Sequence, residues 1–173
     1  MNSFAVSLPG RAPSAERLER VYHRPYMTTV ELGVTIMRPV EDVFAVLSDV
    51  ENVSRWSVRH VEEKMLTDGP LGVGSRRSAV VHTIGARTMT NEAEMLGFMK
   101  NRRMIIRTVG GGLTSDTVID FLPAFGGTRL AWSVRFRLPL LLRWAGPLFG
   151  WWYGSSFQKD LDHLKEMMES GQL

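Results

Sequence analysis

From Thr29 to Met37 the chain reads TVELGVTIM. Val30, Leu32, Val34 and Ile36 alternate with Thr29, Glu31, Gly33 and Thr35, and a period of two predicts a strand with one buried face. The period then lengthens. In RPVEDVFAVLSDV, residues Val40, Val43, Phe44 and Leu47 form one helical stripe, Pro39 suits a first helical position, and Glu41 and Asp42 suit the positive end of the helix dipole. NVSRW predicts a second short helix, with Asn52 as its cap and Trp56 turned inward.

Six further strands follow in VEEKML, SRRSAVVHT, ARTMTNEAEML, RRMIIRTV, LTSDTVIDFL and TRLAWSVRFRL. Turn signals separate them: Gly69, Pro70, Gly72 and Gly74 in one link, Gly85 in the next, and the run Gly110-Gly111-Gly112. In the last strand Leu130, Trp132, Val134, Phe136 and Leu138 face one way, and Arg129, Ala131, Ser133, Arg135 and Arg137 the other. Such short links imply an antiparallel meander with one face on the core. At the end, Phe149, Tyr153, Phe157, Leu161, Leu164 and Met168 recur every three or four residues, a helical stripe about five turns long. The predicted fold is α+β: a seven-stranded antiparallel sheet wrapped around a long C-terminal helix, with two short helices after the first strand.

In this order, RPVEDVFAVLSDVENVSRW, GPLGVGSR, FLPAFGGTRLAW and FQKDLDHLKEMMES resemble the START / polyketide-cyclase / Bet v 1-like superfamily and its helix-grip fold. The resemblance runs from residue 28 to 170. It divides the chain into an N-terminal extension, 1–26, and one ligand-binding domain, 27–173. It implies a deep apolar cavity between sheet and long helix, its mouth rimmed by the link before that helix. It does not imply one function, because such proteins bind lipids, sterols, quinones and polyketides, or cyclise them.

Composition narrows the chemistry. With no cysteine, disulfides, thiolate metal sites and a cysteine nucleophile are all excluded. The net charge is +3, and four arginines against two glutamates within residues 1–26 carry most of it. The nearly neutral body argues against nucleic acid as a partner. The leader lacks a charged start followed by a long apolar run, so it does not read as a secretory signal, and a cytoplasmic location is expected. Its SAERLERVY segment suits one short helix capped by Ser14.

The stretch RLPLLLRWAGPLFGWWYG, Arg137 to Gly154, is nearly free of polar groups and lies within a window, Asp120 to Asp160, that holds no acidic residue between its ends. Prolines, glycines and Arg143 interrupt it too often for a membrane-spanning helix. In a globular fold, Gly146, Gly150 and Gly154 would let a helix approach a sheet closely. Two readings stay open: a lid whose aromatics complete the core, or a portal that touches ligand and makes transient contact with a membrane surface. The number of rings favours the portal. The outward arginines of the last strand suit a solvated face whose partners come from elsewhere.

No histidine spacing suits a metal, and the chain holds no GxSxG, HExxH or GK[ST] signature, so neither metal nor cofactor is expected. Asp160 and His163, three apart, read as a surface ion pair. The alternation of ARTMTNEAEML turns Met89, Asn91 and Met95 inward, the methionines as adaptable liners and Asn91 as a partner for a ligand, a strand or a water. His82 faces inward in only one of two strand registers, and there it would suit acid–base work. The expected lining is Trp56, His82, Met89, Asn91, Met95 and Ile106, then Phe121, Trp132, Phe136, Trp152, Tyr153 and Phe157. No convincing catalytic pair stands out. The sequence therefore favours binding or transport of a hydrophobic small molecule (lipid, quinone or polyketide-like) by a monomer or homodimer, with a polyketide cyclase/dehydratase-like enzyme as the alternative.

Overall fold

The computed structural model describes residues 28–83, 87–137 and 146–173. Seven strands form one antiparallel sheet: β1 (Thr28–Ile36), β2 (His60–Met65), β3 (Arg76–His82), β4 (Thr88–Met99), β5 (Arg103–Gly110), β6 (Leu113–Ala124) and β7 (Gly127–Arg137). Their spatial order is β1-β7-β6-β5-β4-β3-β2. After β1 the chain crosses to the far edge through α1 (Val40–Ser48), a 3-10 turn (Val50–Asn52) and α2 (Val53–Trp56). It then meanders back until β7 pairs with β1, and α3 (Gly146–Glu169) closes the fold. This is the α+β arrangement that the periodicities predict and the helix-grip fold that the resemblance implies.

Local chemistry explains the punctuation. The β5–β6 hairpin turns on Gly111 and Gly112, both at positive φ (55° and 77°), the pair of left-handed residues that a tight two-residue hairpin needs. Pro39 stands one place earlier than expected, as the N-cap of α1 rather than its first residue, and its carbonyl accepts from Asp42 and Val43. Asn52 makes no capping bond from its side chain. The side-chain cap comes one turn earlier, where Asp49 caps the 3-10 turn by accepting from the Glu51 amide at 3.0 Å.

The inner face of the sheet and the apolar stripe of α3 form the core. Ile36, Leu130, Leu161 and Leu164 are wholly buried there, and Phe44 of α1 plugs one end against Phe98 and Phe121, with ring centroids 5.3 and 5.0 Å away. The stretch expected to be a link is helical from Gly146 onward. Its glycine spacing serves close packing: a Cβ on Gly150 would lie 2.9 Å from Thr28 Cγ2, and one on Gly154 would lie 3.2 Å from Val30 Cγ1. The close approach of the α3 backbone to the sheet is chiefly to β1. At its far end α3 is fastened by Lys165 Nζ on the Thr35 carbonyl (3.0 Å) and by Arg38 Nε on the Met168 carbonyl (2.9 Å).

On the outer face the arginines do find partners. Arg107 grips the buried Asp116 through both carboxylate oxygens, and Arg137 lies 3.8 Å from the same carboxylate. The expected leader helix, the Gly85 turn and the segment containing Leu138, Arg143 and Trp144 lie outside the described residues.

Candidate functional site

Strand register decides what the interior sees. A pairing irregularity in β2 sets His60 opposite Val81 and Glu62 opposite Val80, so one extra residue is accommodated between them. His60 and Glu63 therefore both project toward α3, although simple alternation would part them. Arg77 of β3 and Asn91 of β4 share that inner face, and one row across the strands runs Glu63, Ala79, Asn91, Gly110, Leu113. This end of the sheet is built from small residues: Ala79, Ala93 and Gly110.

Asp160 of α3 organises the cluster. It is 2% exposed, and its carboxylate accepts from Ser57 Oγ (2.9 Å), the Val58 amide (3.2 Å) and Arg59 Nε (3.2 Å). Ser57 Oγ also lies 2.8 Å from His60 Nδ1. A carboxylate only accepts, so the Ser57 hydroxyl proton points at Asp160, and Ser57 must accept from His60. His60 then carries its proton on Nδ1 and keeps Nε2 as an acceptor. Burial, reinforced by Arg59 and Arg77, lowers the His60 pKa to about 4, so the ring is neutral at physiological pH.

The neighbouring groups are equally constrained. The Arg59 guanidinium lies 4.9 Å from the ring centroids of both Tyr153 and Phe157, a cation–π arrangement that spreads the charge over the aromatic wall. Burial raises the Tyr153 pKa, and Arg59 opposes the shift. Glu63, its side chain 4% exposed, binds Arg77 at 3.0 Å through Oε1. Burial raises the Glu63 pKa against the pull of Arg77. Glu63 Oε2, Asn91 Oδ1 and Trp56 Nε1 are buried with no hydrogen-bond partner, and such groups are costly unless something satisfies them.

Of the predicted lining, Trp56, Met95, Ile106, Phe121, Trp132, Phe136 and Phe157 are buried in one cluster with the half-buried Tyr153 against it. An aromatic ladder joins four of these: Trp132 to Phe157 at 5.0 Å, Phe157 to Tyr153 at 5.8 Å and Tyr153 to Phe136 at 4.7 Å. Met89 is half-buried beside the β5–β6 turn, and the Asn91 amide lies where a Cβ on Gly110 would collide with it. Phe121 belongs to the opposite end of the sheet, under Phe44. Two placements differ from expectation. His82 is exposed, because the register that turns Val81 inward turns His82 outward. Trp152 is 39% exposed on the outer side of α3.

Asp160 and His163 do not pair at the surface: Asp160 is inside, and His163 Nδ1 meets the Trp56 carbonyl at 2.9 Å. Sequence reasoning missed Ser57, Arg59, His60, Glu63 and Arg77. The signal within reach was Asp160 itself, an acidic residue in the apolar stripe between Phe157 and Leu161. A concavity of 480 Å³, lined by Val40, Met99, Asn101, Leu122 and Pro123 among others, lies near the β4–β5 turn, away from this cluster. Its Arg103 is already held by Asp120 through both carboxylate oxygens.

Residues 27–169 match the family described as polyketide cyclase / dehydrase and lipid transport. The chain belongs to that family. Crystal structures share its fold at low identity. A protein from Thermus thermophilus superposes with a TM-score of 0.68 at 17% identity, covering 84% of this chain and 99% of its own. A Deinococcus radiodurans protein does so with a TM-score of 0.61 at 23% identity, covering 83% and 98%. Ara h 8.0201 shares the fold as well, with a TM-score of 0.56 at 15% identity, covering 79% and 97%. A comparison with curated proteins finds no match. Within this family, hydrophobic ligand binding and polyketide cyclase-like chemistry are the two functional classes to weigh. No described helix is long and apolar enough to cross a membrane.

Proposed function

We propose that the protein binds one amphipathic small molecule between the inner face of the sheet and α3. The apolar body lies along Met95, Ile106, Trp132, Phe136 and Phe157, and the polar end reaches the His60–Glu63–Asn91 side. The observation that carries this reading is the contrast between the two ends of the inner face. Near β1, α3 packs tightly on glycines; near β2–β5, small residues adjoin a buried cluster that holds unsatisfied polar atoms. A closed core would fill that end with large apolar side chains. The test is a tryptophan fluorescence titration with dodecanol, repeated on Trp132→Phe. Saturable one-to-one quenching that shrinks in the variant supports the reading, and no saturable signal in either protein overturns it.

Access is proposed at the start of α3, where Leu148, Trp151 and Trp152 are 69%, 71% and 39% exposed. Together they present on the order of 400 Å², well short of the ~800 Å² per partner of a standard protein interface. Lys159 is the one exposed charge in the first four turns, and tryptophan beside a cation suits an anionic bilayer surface.

Neutral His60 favours a second reading, enzymatic enolisation. Its Nε2 would accept the proton leaving the α-carbon of a bound β-dicarbonyl compound. Deuterium incorporation from D2O into such a substrate, lost in His60→Gln, tests it; equal incorporation with both proteins would refute it.

A further inference from the structure

The end of the sheet away from the start of α3 carries a protruding ring beside a hollow. Phe125, in the β6–β7 turn, is 101% exposed, so its phenyl group stands wholly in solvent. Met37, Met99 and Leu122 nearby are each about half exposed. Met37 reaches this turn, since its methyl lies 2.8 Å from where a Cβ on Gly126 would stand. Together the four side chains present on the order of 500 Å² of apolar surface, a patch near the size that monomers rarely exceed unless it serves a contact.

The hollow is the 480 Å³ concavity walled by Val40, Met99, Leu122 and Pro123. Phe125 follows Pro123 by two residues, so its backbone stands within about 7 Å of that wall. Its ring, being wholly exposed, does not occupy the hollow. A space of about 150 Å³ accepts benzene, so a phenyl group from another chain fits. A knob and a hollow side by side on one surface complement a second copy turned about a two-fold axis between them, and such a contact closes at two chains. The charges agree with that operation. On the knob side, Glu169 accepts from the Met37 amide at 2.8 Å and is held loosely by Lys165, 3.7 Å away. On the hollow side, Lys100 and Arg102 are exposed on either flank of Asn101. The two-fold brings these cations toward the Glu169 of the other copy, whereas a patch of one sign would repel its own copy.

We infer that this end of the sheet is a self-association surface, on which Phe125 of each copy seats in the concavity of the other. With the charged rim added, the contact approaches the ~800 Å² per partner of a standard interface from below, so the dimer is weak and reversible. It leaves the proposed ligand entrance open, because Gly150 of α3 sits on Thr28 while Met37 follows Ile36 at the other end of β1.

The experiment is sedimentation velocity of the full chain across a concentration series, which should show a monomer–dimer equilibrium with a Kd of about 1–100 µM. Loss of one seated ring weakens association at least ~10-fold, and a reciprocal dimer loses two, so Phe125→Ser should raise the Kd by ~100-fold. The unfolding midpoint of the dilute variant should match wild type, because the ring is wholly exposed in the monomer. In protein carrying 13C-methyl methionine, the Met99 signal should move as wild type is concentrated, through the ring current of the entering phenyl group. It should stay still in Phe125→Ser. A wild-type chain that remains monomeric to ~500 µM overturns the inference. So does a dimer that ignores Phe125→Ser, or one that forms with Met99 unmoved.

Discussion

His60 should make the fold acid-sensitive in a window set by its own burial. In the unfolded chain it takes up a proton near pH 6.5; in the folded protein it resists until about 4. Above pH 6.5 both states are neutral there and the group contributes nothing. As pH falls from 6.5 toward 4, only the unfolded state gains the proton, so stability is lost through that window and the loss is complete below it. At pH 5 linkage gives a loss of about 2 kcal/mol, or roughly 4–8 °C in Tm for a domain of this size. Arg59, Arg77, Glu63, Asp160 and Ser57 are the groups around the ring. Glu63 acts with the opposite sign: its pKa is raised, so its protonation favours the folded state as pH falls. Urea unfolding of wild type and His60→Gln at pH 7.5 and pH 5 separates the two, since glutamine keeps a donor for Ser57 but does not titrate. The variant should lose about 2 kcal/mol less than wild type between the two pH values. An identical pH dependence in the two proteins would refute the buried, neutral assignment.

Asp160→Ala strands Ser57, the Val58 amide and Arg59 in the interior, and should cost about 3–5 kcal/mol by urea unfolding; a loss below about 1 kcal/mol would show that the cluster is hydrated and loosely held. Gly150→Leu would force α3 away from Thr28 and should cost about 1–3 kcal/mol, whereas an unchanged midpoint would mean that the helix start is not seated on β1. Trp151→Ala with Trp152→Ala should weaken sedimentation with anionic liposomes while leaving the unfolding midpoint unchanged; unaltered liposome binding would remove the membrane contact from the proposal.

The architecture was legible because periodicity carries it. The alternation in TRLAWSVRFR and the stripe from Phe157 to Met168 each permit one burial pattern, and β7 and α3 adopt it. Boundaries slipped where a local rule had two solutions, as at Pro39, which serves an N-cap as readily as a first helical position. The apolar wall was readable for the same reason as the fold: Met95, Ile106, Trp132, Phe136 and Phe157 are inward by alternation. The polar half of the site was not. An irregularity between His60 and Glu62 resets which residues of β2 face inward, and alternation in VEEKML gives no sign of it. His82 was a candidate through the same ambiguity of register, and the structure gives the inward place to His60. Asp160 was visible as an acidic residue on an apolar stripe, yet its partners lie about 100 positions earlier in the chain, and no local spacing connects them.

The most direct test of an interior binding site is an NMR titration of protein carrying 13C-methyl methionine, with dodecanol as the probe. Met89 and Met95 lie along the proposed site, while Met37 and Met99, 53% and 47% exposed, report on the surface and on the outer concavity. The account predicts saturable shifts at Met89 and Met95, with contacts to the probe chain, and still signals at Met37 and Met99. Shifts at Met99 with Met95 unmoved would place the ligand outside the sheet–helix interior and contradict the account.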